Sequence, residues 1–284
     1  MKVYIKSSDD LDTSLAFTGN TVVRERYAAN TDDPELLTIY AHDPHQRVRG
    51  SAFANPNMPS EDIYEFISSL DFNNVSDTEV NILAGLAMNP NLPDDVLHLL
   101  ATGTFLKNGN YDSSWYIRSR LAHNLKLDTS GLSELAEISS EDTLTLIQIA
   151  INPRTSVELL SKLARSDHWP LREAVGKNPQ APHDVFMLLA RDASDSVRHV
   201  VASNPCTSED ILNMLARDTD YHIRKCVAEN RGAPIQLLRR LAKDRSCQVR
   251  GALAINPNID DDIRRALLND RDERVRYNMQ RNLS

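Results

Sequence analysis

The 284-residue chain is 41% hydrophobic and 25% charged, which excludes a disordered polymer, and its formal net charge of -8 argues against nonspecific attraction to nucleic acid. No run approaches the ~18 apolar residues that a membrane-spanning helix needs, and charge precedes any apolar stretch of signal-peptide length, so a cytoplasmic location is expected. The charge is uneven: residues 1–150 hold 10 Lys and Arg against 22 Asp and Glu, whereas residues 151–284 hold 22 against 18.

Aligning the chain on one asparagine yields Asn30, Asn55, Asn89, Asn124, Asn152, Asn178, Asn204, Asn230, Asn256 and Asn282, and from Asn152 onward every step is 26 residues. A fixed period in that range signals a solenoid, in which each repeat touches mainly its neighbours and cannot bury its apolar face alone. The expected organisation is a cap over 1–21, irregular helical repeats over 22–150, and regular 26-residue repeats over 151–284. The earlier steps of 25, 34, 35 and 28 residues imply insertions, which composition places as loops at 71–78 and 101–114.

The repeat around Asn204 shows the local logic. Ser194 is placed to cap a helix from Asp195 to Ser203 with Val197, Val201 and Ala202 as its core positions, and the same capping slot later holds Asp220, Ser246 and Asp272. Asn204-Pro205 ends that helix, because a residue before proline is pushed out of the α region. Ser208, Glu209 and Asp210 open a second helix whose apolar stripe is Ile211, Leu212, Leu215 and Ala216. No strand-like alternation recurs, so the fold class is all-α, a solenoid of about ten two-helix repeats without a sheet.

The string from Val197 to Asp218 resembles the variant leucine-rich repeat, a bacterial family with repeats of about this length; the match covers 150–284 well and 22–100 more loosely. The resemblance implies a right-handed superhelix alternating an α-helix with a shorter, sometimes 3-10, helix. Some members carry a cysteine-bound iron–sulfur cluster ahead of their repeats, but no cysteine precedes Cys206 here, and no cofactor is expected. The family lends no general catalytic activity. HEAT-type arrays, with longer two-helix repeats, are the nearest alternative.

An arginine lies six residues before the asparagine in eight of ten repeats: Arg24, Arg49, Arg118, Arg172, Arg198, Arg224, Arg250 and Arg276, with Leu83 and Leu146 in the other two. Helical geometry points Arg198 into the apolar stripe, so a structural ladder is expected, and Asp192, Asp218, Asp244 and Asp270, each six residues before the next ladder arginine, are the available partners for it or for nearby backbone amides. A second series, Arg165, Arg191, Arg217 and Lys243, projects away from the stripe; with Arg239 and Arg240 it offers a basic edge. The residue just before the asparagine varies without shared chemistry, which makes it either free surface or a position tuned to one partner, with Met88, Ile151 and Ile255 as a patch to inspect.

Catalytic constellations are not evident: the chain has no phosphate loop, nucleophile elbow or helical His-Glu-x-x-His, and the proline between His42 and His45 breaks the helix that would align them on a metal. Trp115 and Tyr116, beside the longer insertion, are candidates for ligand stacking or for anchoring that insertion. The expected function is a non-catalytic scaffold that binds a protein partner, with the inserted loops helping to set specificity. Nucleic-acid binding by the basic carboxyl-terminal repeats is the alternative.

Overall fold

In the computed structural model, residues 20–72, 74–102 and 111–282 are described. Among them every regular element is helical. The expected 1–21 cap lies almost wholly outside the described residues, as does most of the 101–114 insertion. The rest of that insertion is helix, not loop: Ala101 and Thr102 end one helix and Tyr111–Ser114 begin the next. The chain forms two compact units, Met1–Arg154 and Thr155–Ser284, here called the amino-terminal and carboxyl-terminal halves.

The carboxyl-terminal half alternates second and first helices of successive repeats: α10 (Val157–Leu163), α11 (Trp169–Lys177), α12 (His183–Leu189), α13 (Asp195–Ser203), α14 (Glu209–Leu215), α15 (Tyr221–Glu229), α16 (Ile235–Leu241), α17 (Cys247–Ala252), α18 (Asp261–Leu268) and α19 (Glu273–Arg281). Val197, Val201 and Ala202 of α13 and Ile211, Leu212 and Leu215 of α14 are buried, so the apolar spacing of each helix does face the core. Ser194 and Ser208 occupy the capping positions in extended conformation, but neither hydroxyl bonds a backbone amide of the first turn; Asp220 and Asp272 do. The shorter second helices α10, α12, α14 and α16 are α-helical, and a 3-10 turn, Leu253–Ile255, instead follows first helix α17.

First helices pack directly on one another in the order α11, α13, α15, α17 and α19, while second helices contact mainly the first helices that flank them. The amino-terminal half comprises helices α1 (Thr21–Asn30), α2 (Pro34–Ala41), α3 (Gln46–Ala54), α4 (Ser60–Ser69), α5 (Asp77–Met88), α6 (Asp94–Thr102), α7 (Tyr111–His123), α8 (Thr129–Ile138) and α9 (Thr143–Ile151); its first helices stack in the same way, but its second helices α6 and α8 also pack directly on each other. In this half α3 and α5 come into close approach, where Gly85 lies so near the backbone of Gly50 that a Cβ would collide with the Gly50 carbonyl oxygen.

Candidate partner-binding surface

Two polar ladders hold successive repeats in register and so fix the surface. The first is the asparagine that ends each first helix, read from the sequence only as the alignment mark and as the helix end before proline. Asn230 Nδ2 donates to the Ala202 and Asn204 carbonyls at 2.9 and 3.0 Å, while its Oδ1 accepts from the Gly232 amide at 2.8 Å. Asn256, Asn124 and Asn89 make the equivalent set, and Asn55 differs only in bonding the Thr31 carbonyl in place of that of Asn30. One buried side chain thus closes its own turn and satisfies two carbonyls orphaned at the preceding helix end.

The second is the arginine–aspartate ladder. Arg224 places Nε and Nη2 at 2.8 and 3.0 Å from the Asp244 carboxylate, and Arg172–Asp192, Arg198–Asp218 and Arg250–Asp270 repeat the fork. The carboxylate belongs to the linker twenty residues downstream, not to the one six residues upstream. The upstream aspartate contributes its carbonyl: Arg224 Nη1 donates to Asp218 O at 2.8 Å, and Arg276 likewise to Asp270 O at 2.6 Å. Each carboxylate also accepts the amide two residues on, Ser246 for Asp244. Burial raises the carboxyls of Asp192 and Asp244, but the facing guanidinium and that amide outweigh it and hold both below the ordinary carboxylate range. Arg250 dominates the same lowering at Asp270.

The outward cations are arranged differently. Arg165, Arg191, Arg217 and Lys243 are exposed just past the second helices. Arg239 is neutralised by Asp260 at 2.6 Å and Asp262 at 3.6 Å, and Arg240 bonds Asn213 Oδ1 at 3.2 Å. The basic edge is therefore narrower than the residue count implies. Trp115 and Tyr116 stand edge to face with ring centroids 5.8 Å apart, and Arg120 lies 4.5 Å from the Tyr116 centroid while donating to its hydroxyl, so Tyr116 is braced within its own helix. His42 bonds the Thr38 carbonyl and His45 caps α3; among the described residues no group of three or more His, Cys, Asp or Glu is placed to hold a metal.

The concavities lie elsewhere, on the first-helix row of the carboxyl-terminal half. A groove of about 360 Å³ has the Tyr221–His222 pair and Lys225 of α15 on one side, Cys247, Gly251 and Ile255 along its floor, and Arg274 and Asn278 of α19 on the other. Gly251 occupies the slot where other repeats of this half carry Glu173, His199, Lys225 and Tyr277, so the floor drops there for want of a side chain. A second depression of about 300 Å³ centres on α13 and is lined by Glu173, Asp195, His199, Asp220 and His222. His222 borders both.

A solved structure matches the chain over 88% of its length and over 81% of the other's, with 20% identity and a TM-score of 0.45. It is described as a leucine-rich repeat variant with a novel repetitive protein structural motif. This chain is similar to that leucine-rich repeat variant. No family model matches the chain, and no curated protein does.

Sequence reasoning picked out Ile255, which is 59% exposed at the groove floor, but passed over Glu173, His199, His222, Lys225, Gly251 and Tyr277. Apart from His222, their signal was available: one and a half turns before the asparagine, the carboxyl-terminal repeats read Glu173, His199, Lys225, Gly251 and Tyr277, as variable as the slot just before it. Two variable slots about one turn apart on one helix face mark a surface. Of the three cysteines, all free, Cys226 alone is buried, which pushes its thiol up; Cys247 lines the groove with Arg274 Nη2 donating to its sulfur at 3.2 Å.

Proposed function

We propose that the chain is a non-catalytic scaffold that binds a protein partner along the first-helix row of its carboxyl-terminal half. The observation that carries this reading is the division of labour within each repeat. Slots that join repeats recur and are satisfied by the two ladders, whereas the exposed first-helix slots hold a different side chain in every repeat, among them Trp169 at 47% and Tyr277 at 60% exposure. Large exposed aromatics on a rigid face are what partner surfaces use for anchoring.

Crosslinking in a native extract, read at residue level by mass spectrometry, tests the reading because lysines mark both faces. Lys177 and Lys225 stand on the first-helix row, and Lys162 and Lys243 on the second-helix side. Partner peptides joined to Lys177 and Lys225 support the reading; partner peptides joined only to Lys162 and Lys243, or none, contradict it. The exposed series Arg165, Arg191, Arg217 and Lys243 sustains a second reading, nucleic-acid binding, and binding to duplex DNA that falls steeply between low and moderate salt would establish it instead.

A further inference from the structure

Resting on that reading, we propose that the partner presents an extended segment carrying one cationic and one large apolar side chain about five residues apart, seated across α13, α15 and α17. The acidic end supplies the first preference. Asp195 and Asp220 line the α13 depression, and their carboxylates accept backbone amides of their own helix starts at 2.8 Å each. Arg198 attracts both at longer range and Arg224 attracts Asp220, but both of those guanidiniums are forked onto other carboxylates, so Asp195 and Asp220 can still meet a Lys or Arg from outside. Glu173 in the same depression is already paired with Lys177 at 2.6 Å. No Lys or Arg lines the depression.

The other end supplies the second. Over Gly251 the floor drops between the Tyr221 ring and Ile255, leaving about 360 Å³, room for a Leu, Phe or Trp side chain. Its cations are compensated, Lys225 by Glu229 at 3.5 Å and Arg274 by Asp272 at 3.1 Å, so burial of an apolar group is the main gain on offer. The spacing follows from the scaffold. The two depressions centre on α13 and α17, two helices apart in a row whose neighbours pack at about 8–10 Å, and an extended chain covers roughly 16–20 Å in about five or six residues. A helical ligand would need about twelve residues for that span, so the extended form is the economical one.

Selection of random dodecapeptides displayed on phage against the full chain tests this. Recovered peptides are expected to pair Lys or Arg with Trp, Phe or Leu at that spacing. Their binding to Asp195→Asn/Asp220→Asn, which keeps a capping side chain at residue 220, should weaken roughly ten-fold. Binding to Gly251→Leu should weaken comparably, and unchanged thermal midpoints would show that the fold is intact. The Cβ this substitution adds meets the tip of Asn278 at 3.1 Å and Val275 Cγ2 at an ordinary 3.8 Å. Peptides that bind both variants as well as the parent would overturn the segment proposal and leave the scaffold reading standing. Failure to recover any peptide would overturn the segment proposal, and the crosslinks from Lys177 and Lys225 would still decide the scaffold reading on their own.

Discussion

The two halves of the chain are built on one scheme but tolerate different departures from it. In the carboxyl-terminal half four consecutive forked pairs, Arg172–Asp192 to Arg250–Asp270, run without a break. In the amino-terminal half the pattern survives as Arg24–Asp43 at 2.7 Å and loosely as Arg118–Asp142 at 3.7 Å, while Arg49 bonds the Asp43 carbonyl and Leu83 and Leu146 take the remaining slots. The asparagine bonds, by contrast, recur in both halves, at Asn55, Asn89 and Asn124 as at Asn204, Asn230 and Asn256. The difference teaches that ionic pairing between repeats is replaceable by packing, whereas capture of orphaned carbonyls is not, since no apolar side chain can accept that task.

Acid is the harshest way to break this comparison, because it acts on several pairs together. Asp192, Asp244 and Asp270 in one half, and Asp43 in the other, are held below the ordinary carboxylate range. Carboxyls depressed on folding stabilise fully above their unfolded value of about 4, and that contribution is lost as pH falls through the lower folded values. The thermal midpoint should be level from about pH 7 to 5 and drop below about 4. Amide exchange, corrected for its intrinsic pH dependence, should lose protection first in Thr155–Ser284; first loss in the amino-terminal half would break the contrast.

Next in size is removal of one partner. Arg224→Leu strands the Asp244 carboxylate, whose side chain is 9% exposed, and should cost about 3–5 kcal/mol in chemical denaturation. Arg224→Leu/Asp244→Asn follows the arrangement native at Leu146, where the uncharged Ser166 accepts the His168 amide, and by keeping an acceptor for the Ser246 amide should recover most of that loss. A double variant as unstable as the single one would mean that the ion pair is not replaceable.

Much of the scheme was legible beforehand. The period, the Asn-Pro helix ends and the apolar stripes placed α13 at Asp195–Ser203 with its buried Val197, Val201 and Ala202. What escaped was the bonding between repeats. Asn230 reaches main-chain carbonyls of Ala202 and Asn204, and carbonyls leave no mark on a sequence, so its fixed spacing showed that it mattered without showing why. The aspartates misled for a related reason. Asp218 serves two arginines at once, Arg198 with its carboxylate and Arg224 with its carbonyl, and an offset of six residues cannot separate the two atoms. Tyr111–Ser114 read as loop because turn-forming residues crowd the stretch, yet they fall in the first turn of α7, where such residues are well tolerated.

The smallest effect concerns caps. Asp220 accepts the His222 amide whereas Ser194, in the same slot one repeat earlier, caps nothing with its side chain. Asp220→Ala should cost about 1 kcal/mol and Ser194→Ala close to none. Equal losses would show that the slot, and not the hydrogen bond, sets the cost.

Urea unfolding of Asn89→Ala beside Asn230→Ala probes the asparagine ladder in both halves at once. Each substitution deletes three hydrogen bonds, two of them buried, and each should lower stability by roughly 3 kcal/mol, alike in the irregular half and in the regular one. Stability unchanged in either variant would contradict the account, because a stack that survives without the side chain is held together by something else.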